Sequence, residues 1–583
     1  MNKEYRRNKK YRPNTDKSDN NRKARNQIEK NDGFLIGTIN KSGKHFFFYP
    51  RKIGKYFDRL PIQNEKLIKP GNNGLYLAKV VEIPKKKIGV RIEKNIGKAG
   101  NLDNERESLI YEYQLSQTFP HGVESETDKL STKILKSELT DRTDLRSKLI
   151  FTIDGERARD FDDAVGIQRT NSGYRLWVSI ADVSHYVKEN SELDKEAYKR
   201  ATSIYLVKNV IPMLPEKLSN DLCSLVPGKN RLTKTVEIIF DHDGKVKNYK
   251  IYNSIIKSKH RLTYTKVSEM LSGNVIISEK QKSLYDSLKF MQELFQKIKS
   301  NRLTNGYIDL NIPDAEIVED DKGNVIDIVR LRRDVSHEII EQFMISANEA
   351  AAEFISKARR NSIYRVHETP DPESIVELKN NLRGLGYRSK KNSLLHQKEV
   401  QNILSFFVNK KQEYAANLFL LRSMKRAMYS SKNTGHFGLG SRYYTHFTSP
   451  IRRYPDLIVH RVLDTLIHNN NSNNFDQEYM TKICNHCTAK EVISDEIERE
   501  SVKLERAFII KNYVGDIMKG FIISIKPFGI FVELEEIFAE GFIPRRGIKG
   551  YREKDYYIGQ EIDVKIKNAD IDNRRVRLEI ATL

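Results

Sequence analysis

Four aspartates fall within ten residues of one another, and they are the side chains of this chain best suited to chemistry. They follow the apolar run Leu149–Ile153, which is typical of a buried strand. Carboxylates this close repel one another, so they are stable together only when solvated or bridged by cations. Ligand sets made of oxygen alone select hard Mg²⁺ or Mn²⁺ over Zn²⁺. The four residues are Asp154, Asp160, Asp162 and Asp163.

Two divalent ions held by such a cluster, about 4 Å apart, would activate a water and stabilise the leaving oxygen of a phosphodiester. The alternative is a solvated acidic loop, but Phe161 and the flanking apolar runs favour a packed segment. A calcium-binding loop counted from Asp160 fails, because Val165 stands where glycine is needed and Asn171 where glutamate is needed. The segment therefore predicts a metal centre with oxygen ligands.

A second segment carries the adjacent arginines Arg452 and Arg453. Two helix starts are open: Ser449 as an N-cap followed by Pro450, or Pro455 in the first turn. In either case the arginines lie near a helix N-terminus, where free N–H groups and the dipole favour an anion. An arginine there can bind a phosphate and stabilise charge as a bond breaks. Arg453 is better interpreted as the partner of a structural carboxylate.

The overall charge favours a polyanionic partner. The 583 residues include 101 Lys and Arg against 78 Asp and Glu, a net charge of +23. Basic side chains that neutralise phosphates release condensed counterions, which favours nucleic acid. The alternative is a basic protein that associates with the ribosome or simply belongs to a lysine-rich proteome.

Cysteine usage and hydropathy predict the compartment. Three cysteines are too few to stabilise a chain of this length through disulfide bonds, and such low cysteine usage suits a reducing cytosol. The single pair Cys484 and Cys487 predicts a helix with two buried thiols, since zinc fingers need a second pair. The sequence contains no apolar run of bilayer length and no signal-peptide core, so we predict a cytoplasmic protein without a membrane partner.

Composition shifts divide the chain into five parts. Residues 1–30 are predicted to be a disordered basic arm, 31–95 a small β-barrel with a hairpin at Ser42-Gly43, and 96–145 a connector. Residues 146–507 form a large mixed region, and residues 511–583 a compact five-strand unit. Within the large region the pattern predicts a strand at Thr235–Phe240 and helices at Glu338–Lys357 and Glu413–Tyr429.

The chain contains three segments that resemble the signature segments of the ribonuclease II superfamily: Thr152–Val165, Ile211–Leu225 and Thr448–Arg461. Their amino-acid sequences are most similar to those of the bacterial ribonuclease R branch. The resemblance covers residues 31–583. It implies a multidomain α+β protein with a large mixed α/β RNB-type catalytic domain. This domain would be flanked by OB-fold β-barrels, a cold-shock-like barrel at the N-terminal side and an S1 barrel at the C-terminal side.

The resemblance also implies an activity, which is processive 3′→5′ hydrolysis of RNA to nucleoside 5′-monophosphates with Mg²⁺ or Mn²⁺. Such an enzyme would act on single-stranded or 3′-overhang RNA in RNA turnover and quality control. It would be a monomer, with ribosomal or RNA-decay components as candidate partners.

The family's functional positions map onto this sequence. Asp162 would be the aspartate most directly essential to chemistry, with Asp154, Asp160 and Asp163 holding metal. The catalytic set would be completed by Arg452, Glu341 and Glu498, the last with its register open. RNA would be bound by aromatic residues, of which Phe531 could equally be core: Tyr205, Tyr264, Phe528, Phe531 and Phe542.

The sequence departs from the family at two places. It has room for one cold-shock-like barrel where two are usual, and Leu310 replaces a stacking phenylalanine. Both departures concern the grip on RNA and activity on structured RNA rather than the chemistry. The rival hypothesis is an RNA-binding regulator without catalysis, which the four intact aspartates disfavour. An endonuclease is a third hypothesis, and it would cleave circular RNA.

Overall fold

A computed structural model describes residues 33–51, 59–65, 73–84, 87–312, 314–319, 325–331, 334–388, 395–468, 475–537, 539–548, 551–552 and 555–581. The predicted basic arm, residues 1–30, lies outside these ranges. The chain forms two compact units. Within the described ranges, one comprises residues 33–117, 500–516 and 565–578, and the other comprises residues 118–499, 517–564 and 579–581. In the part of the chain that the structure describes, no helix is long and apolar enough to cross a membrane.

The N-terminal part is a five-stranded sheet in which the predicted hairpin is present. Ser42 pairs with His45, and Gly43 makes the tight turn with a φ of 66° that suits glycine. Phe48 is fully buried, whereas its neighbours in the aromatic run are partly exposed, as strand alternation requires. The strands pair in the order β3-β2-β1-β4-β5. Their bounds are β1 Phe34–Ser42, β2 His45–Pro50, β3 Leu60–Pro61, β4 Gly74–Ile83 and β5 Lys87–Lys98.

The large region is built on a central sheet with the order β6-β13-β12-β9-β8. Its β-branched residues are buried against helices; Val236 and Ile238 are fully buried in the core that also contains Phe343. A separate parallel pair joins β7 and β14. The strands are β6 Thr143–Asp144, β7 Thr152–Asp154, β8 Asp163–Thr170, β9 Gly173–Ala181, β10 Ile204–Tyr205, β11 Val210–Ile211, β12 Asn230–Phe240, β13 Val246–Lys257, β14 Arg261–Thr263, β15 Asp314–Glu319, β16 Val325–Leu331, β17 Tyr364–Val366 and β18 Met428–Ser430.

The predicted helix at Glu338–Lys357 is confirmed, but the one predicted to run from Glu413 to Tyr429 is too long. It ends at Ser423, and Tyr429 lies in β18, where its N–H donates to Thr488 Oγ1 at 3.1 Å. The helices are α1 Leu102–Glu112, α2 His121–Lys129, α3 Val183–Tyr186, α4 Glu192–Arg200, α5 Tyr264–Leu271, α6 Lys282–Thr304, α7 Val335–Lys357, α8 Pro372–Gly384, α9 Gln397–Phe407, α10 Glu413–Ser423, α11 Tyr454–Ile467 and α12 Gln477–Ile510.

The C-terminal five-strand unit is a closed barrel with the order β19-β20-β21-β23-β22. Alternation along β20 buries Ile530, Val532 and Leu534 and turns Phe531 and Glu533 to the outside. Turns at Lys526-Pro527 and Asp572-Asn573 separate β19 from β20 and β22 from β23. The strands are β19 Ile517–Lys526, β20 Gly529–Leu534, β21 Glu540–Pro544, β22 Glu561–Asp570 and β23 Arg575–Ile580.

Candidate active site

The four aspartates lie on two strands and the loop between them. Asp154 is the last residue of β7, next to Thr263 of the parallel strand β14. Asp163 is the first residue of β8, opposite Ile180 of β9. The chain therefore leaves one buried strand and enters another within nine residues, which fixes both ends of the acidic loop.

Asp162 is the most constrained of the four. It is 4% exposed, and its Oδ1 accepts the N–H of Ile451 at 2.9 Å. The Nε of Arg452 lies 3.6 Å from its Oδ2. Burial raises the pKa of Asp162 well above its ordinary value, and the nearby Arg452 opposes that shift. The structure thus places Asp162 and Arg452 next to each other, whereas in the sequence only the family resemblance linked them.

Burial and mutual repulsion act on the other carboxyls as well. Burial, with the charge of Asp163, raises the pKa of Asp154 to about 8, and burial raises the pKa of Asp163 to about 6. The Oδ2 atoms of Asp154 and Asp162 are buried without a hydrogen-bond partner. Buried carboxylate oxygens that repel one another and accept no hydrogen bond have the chemistry of ligands for a hard cation.

The side chains do not form a closed ligand set as they stand. Across the described ranges, no group of three or more His, Cys, Asp or Glu side chains has the arrangement of a metal site. The character of the donors and their orphaned oxygens fit a divalent cation, but the spacing shows no preformed cage. The metal assignment therefore rests on the chemistry of the donors.

Asp160, Tyr205 and Glu498 form one connected group. The Tyr205 hydroxyl donates to Asp160 Oδ2 at 3.0 Å, and the Tyr205 N–H donates to Glu498 Oε1 at 3.0 Å. Ser494 also donates to that glutamate oxygen, at 3.3 Å. The Tyr205 side chain is among the exposed aromatic residues, so part of its ring is accessible to a ligand. Glu498, whose register the sequence leaves open, is thus next to the predicted RNA-binding tyrosine.

Tyr264 and Glu341 occupy neighbouring helices. Tyr264 begins α5 and stacks on His337 of α7, with ring centroids 3.9 Å apart. Tyr264 directly follows Thr263, the β14 residue paired with Asp154. Burial raises the pKa of Tyr264, and the charges of Asp163 and Asp154 add to that shift. Glu341 follows His337 by one helical turn and accepts the hydroxyl of Tyr307 at 3.2 Å. The structure therefore puts Tyr264 beside the aspartates and Glu341 on the adjacent helix.

The two arginines have separate roles. Helix α11 begins at Tyr454 with Pro455 in its first turn, so the alternative start at Ser449-Pro450 is wrong. Arg453 is partly buried and pairs with Asp456 Oδ1 at 2.7 Å, as its structural interpretation predicts. The Arg452 side chain is 45% exposed, and its Nη2 donates to Ser449 Oγ at 3.2 Å. It lies beside the helix N-terminus, a position that favours an anion.

Arg261 is a site residue that the sequence did not single out. Its Nη2 donates to the carbonyl oxygens of Gly155 and Glu156, at 2.8 and 2.7 Å. Its guanidinium also lies 5.8 Å from the ring centroid of Phe161. Arg261 therefore holds the loop between Asp154 and Asp160 on both sides. The available signal was its position three residues before Tyr264, but a lone arginine beside an acidic cluster does not reveal that it binds backbone.

The C-terminal barrel carries a separate aromatic surface. Phe528 is 61% exposed, and its ring lies 6.1 Å from Phe531 and 5.8 Å from Phe542. Phe531 and Phe542 are cross-strand partners with rings 5.0 Å apart. Phe531 thus belongs to the outer surface rather than to the core.

Cys484 and Cys487 are buried free thiols on α12, as predicted.

Comparisons with known proteins agree with this architecture. The family model of the RNB domain matches residues 142–469, and that of the S1 RNA binding domain matches residues 511–581. Ribonuclease R of Thermotoga maritima is 40% identical over 522 residues, covering 87% of this chain and 73% of that protein. Ribonuclease R of Aquifex aeolicus is 40% identical over 492 residues, covering 81% of this chain and 69% of that protein.

A solved structure extends the match to three dimensions. Mycoplasma genitalium ribonuclease R in complex with ribose-methylated single-stranded RNA superposes with a TM-score of 0.87 at 27% identity. The superposition covers 94% of this chain and 89% of that one. The chain therefore belongs to the RNB-domain family of 3′→5′ exoribonucleases, the ribonuclease II superfamily. Within that family its relatives are ribonuclease R proteins.

Proposed function

We propose that this exoribonuclease degrades RNA processively from the 3′ end to nucleoside 5′-monophosphates by a divalent-metal mechanism. Its role would be RNA turnover and quality control in the cytoplasm. The observation that supports the mechanism best is the pair of buried, orphaned carboxylate oxygens on Asp154 and Asp162, with Arg452 beside the second. Such an arrangement is costly unless it serves a cation and an anionic substrate.

Asp154, Asp160, Asp162 and Asp163 would hold Mg²⁺ or Mn²⁺, since hard cations prefer carboxylate oxygens. When bound, the metal would supply an activated water and stabilise charge on the leaving oxygen. Asp162 is fixed for this role by its hydrogen bond from the Ile451 backbone. A buried aspartate held by a backbone N–H cannot move away from the site without losing that bond.

The surrounding residues would bind and orient the strand. Arg452 would hold the scissile phosphate, because an exposed guanidinium near a helix N-terminus suits an anion. Tyr205 keeps Asp160 in place through its hydroxyl, and its accessible ring would stack on a terminal base. Tyr264 would take the adjacent position, and Glu498 would keep the Tyr205 backbone in register.

The substrate would be single-stranded or 3′-overhang RNA, captured by the phenylalanines of the C-terminal barrel. Support comes from the exposure of Phe528, from the partial exposure of Phe531 and Phe542, and from the match to an S1 RNA binding domain. The relative from Mycoplasma genitalium was solved with single-stranded RNA. We further propose that the enzyme acts as a monomer.

The proposal predicts that Asp162→Asn lowers the rate of RNA degradation by at least about 100-fold, because metal-assisted charge stabilisation contributes several kcal/mol. The measurement is the stepwise shortening of a 5′-labelled linear RNA in Mg²⁺, because the label stays on the RNA while nucleotides leave from its 3′ end. Asp144→Asn is the matched control, since Asp144 is an exposed aspartate paired with Arg146.

If Asp162→Asn degrades this RNA as fast as the wild type, the assignment of the site is wrong. A circular RNA of the same sequence distinguishes the endonuclease hypothesis, because an exonuclease leaves it intact. Binding of RNA without cleavage under any divalent ion would favour the regulator hypothesis instead.

A further inference from the structure

A cavity of about 830 Å³ lies in the catalytic region, apart from the acidic loop. It is lined by the chain following β17, by the first residue of α9 and by the segment from Asn433 to Tyr443. None of the four aspartates is among its lining residues. Its volume falls in the range of small-molecule sites, roughly 300–1,000 Å³.

The wall of this cavity is held rigidly. The Gly438 N–H donates to His367 Nδ1 at 3.0 Å, and a Cβ at Gly438 would lie 2.9 Å from that nitrogen. Gly440 has a φ of 62°, and a Cβ there would lie 2.8 Å from the carbonyl oxygen of Asn305. The backbone approaches its neighbours too closely for a side chain at either position. The cavity is therefore built into the fold and is not a gap in a loose loop.

The lining contains one acid and one arginine, which differ in their partners. Glu368, the acid, is paired at 2.9 Å with Lys425, which also pairs with Asp371 at 2.9 Å. Arg442, the lining arginine, is exposed, and in the described portion of the chain it forms no ion pair. An arginine without a carboxylate partner at the mouth of a cavity can bind a phosphate through two parallel hydrogen bonds.

An aromatic ring lies next to that arginine. The guanidinium of Arg442 lies 5.4 Å from the ring centroid of Tyr443. Tyr443 is only partly buried and packs on the small core formed by Ala352, Tyr364 and Val366, which supports the ring from behind. Because the guanidinium lies over one face of the ring and the core supports the ring from behind, a nucleotide would place its phosphate on the arginine and its base against the ring edge.

A neutral hydrogen-bond donor completes the lining. His436 Nδ1 accepts the N–H of Leu439 at 3.2 Å, which assigns the ring proton to Nε2. Burial lowers the pKa of His436 to about 3, so the ring stays neutral at physiological pH. Its Nε2–H can donate to a base or ribose oxygen.

We propose that this cavity binds a nucleotide, with its phosphate on Arg442 and its base against the aromatic lining near Tyr443. The inference rests on the proposed function for the source of the ligand, because that reaction would release nucleoside 5′-monophosphates. The same chemistry is present in a nucleotide of the RNA strand itself. A free monophosphate and a nucleotide within RNA are therefore the two sources to be distinguished.

The test measures equilibrium binding of 5′-AMP, adenosine and a five-nucleotide RNA by calorimetry. Every protein carries Asp162→Asn so that RNA is not consumed. In this background Arg442→Gln should weaken 5′-AMP or RNA binding by about 10- to 100-fold, the effect of losing a charged hydrogen-bonding partner. Arg442→Lys should restore part of the loss, because it keeps the charge but not the fork.

Arg383→Gln is the matched control, because Arg383 is exposed at the end of α8 and its substitution removes the same charge as Arg442→Gln. A loss for 5′-AMP but not for adenosine supports a site for the free monophosphate. A loss for the RNA alone supports a nucleotide of the strand. If Arg442→Gln binds both ligands as Arg383→Gln does, the proposal is overturned. Shortening of the RNA during the measurement would instead indicate that the catalytic assignment of Asp162 has failed.

Discussion

At the scale of single residues, burial decides which carboxyls can do chemistry. Asp162 is buried and held by the Ile451 backbone, whereas Asp144 is exposed and paired with Arg146. Hydrogen bonds from Arg146 lower the pKa of Asp144 to about 2, while burial raises that of Asp154 to about 8. An aspartate is therefore an ordinary surface anion at position 144, whereas at position 154 burial makes its ionised form energetically unfavourable.

This strain predicts how the metal-free protein responds to pH. Asp154 and Asp163 bind protons more tightly when folded than when unfolded, with folded pKa values of about 8 and about 6. Their contribution to stability is thus fully present below the ordinary aspartate pKa and is lost as pH rises through 6 to 8. Thermal unfolding of metal-free protein between pH 5 and 8 should show a fall of a few degrees in Tm.

Asp154→Asn should flatten that fall, because the amide does not titrate, and Mg²⁺ should raise the Tm of the wild type most at pH 8. Asp144→Asn should leave the slope unchanged, since the carboxyl with a pKa of about 2 stays ionised throughout the window. A Tm slope in Asp154→Asn identical to the wild-type slope would contradict the strained-carboxylate account.

At the scale of elements, the acidic loop depends on contacts from a strand far along the chain. The parallel pairing of β7 with β14 brings Arg261 opposite Thr152, from where its guanidinium reaches the carbonyls of Gly155 and Glu156. The pairing also sets Thr263 beside Asp154, and Tyr264 follows directly. One short strand thus positions the loop, an aspartate and a predicted RNA-binding residue.

Arg261→Gln should therefore lower kcat/KM by about tenfold or more, because hydrogen bonds from a charged donor contribute roughly 1.5–3 kcal/mol. The half-saturating Mg²⁺ concentration should rise at the same time, since the loop would no longer be held near its binding geometry. Degradation of a linear RNA over a Mg²⁺ titration measures both quantities. Arg146→Gln is the control, and equal rates and Mg²⁺ requirements in the two variants would rule out a positioning role for Arg261.

At the scale of the whole molecule, the residues proposed to capture RNA and those proposed to carry the chemistry lie in different domains. The phenylalanines of the C-terminal barrel form an exposed aromatic surface, and the aspartates belong to the central region. Base stacking on an exposed ring is blind to sequence and contributes about 1–3 kcal/mol per base. This division predicts that the two functions can be weakened separately.

Phe528→Ala should raise KM for a long RNA by about fivefold or more and leave kcat within about twofold, because it removes stacking without touching the reacting groups. Steady-state kinetics on a long single-stranded RNA checks both values. Phe406→Ala is the matched control, since Phe406 is an exposed phenylalanine of α9. Equal KM values for the two variants would show that the aromatic surface of the barrel does not contribute to RNA capture.

Much of this could be predicted from the sequence, because alternation, turn residues and motif spacing are local properties. The hairpin at Gly43, the strand around Val236 and the helix containing Glu341 follow from periodicity in short windows. The sequence predicts that the helix starting at Glu413 continues past Ser423, because helical spacing of apolar residues continues there. In the structure, tertiary contacts of Tyr429 place that residue in a strand instead. Local patterns cannot register that competition.

The sequence by itself determined the kind of chemistry, since four acidic side chains so close together require a cation or solvent wherever they fold. Only the tertiary structure decided which partners they have. Arg261 and Ile451 come from segments roughly 100 to 290 residues away, and no spacing rule links them to the loop. Long-range packing sets hydrogen bonds, burial and hence proton affinity, so those properties appear only when the chain is folded.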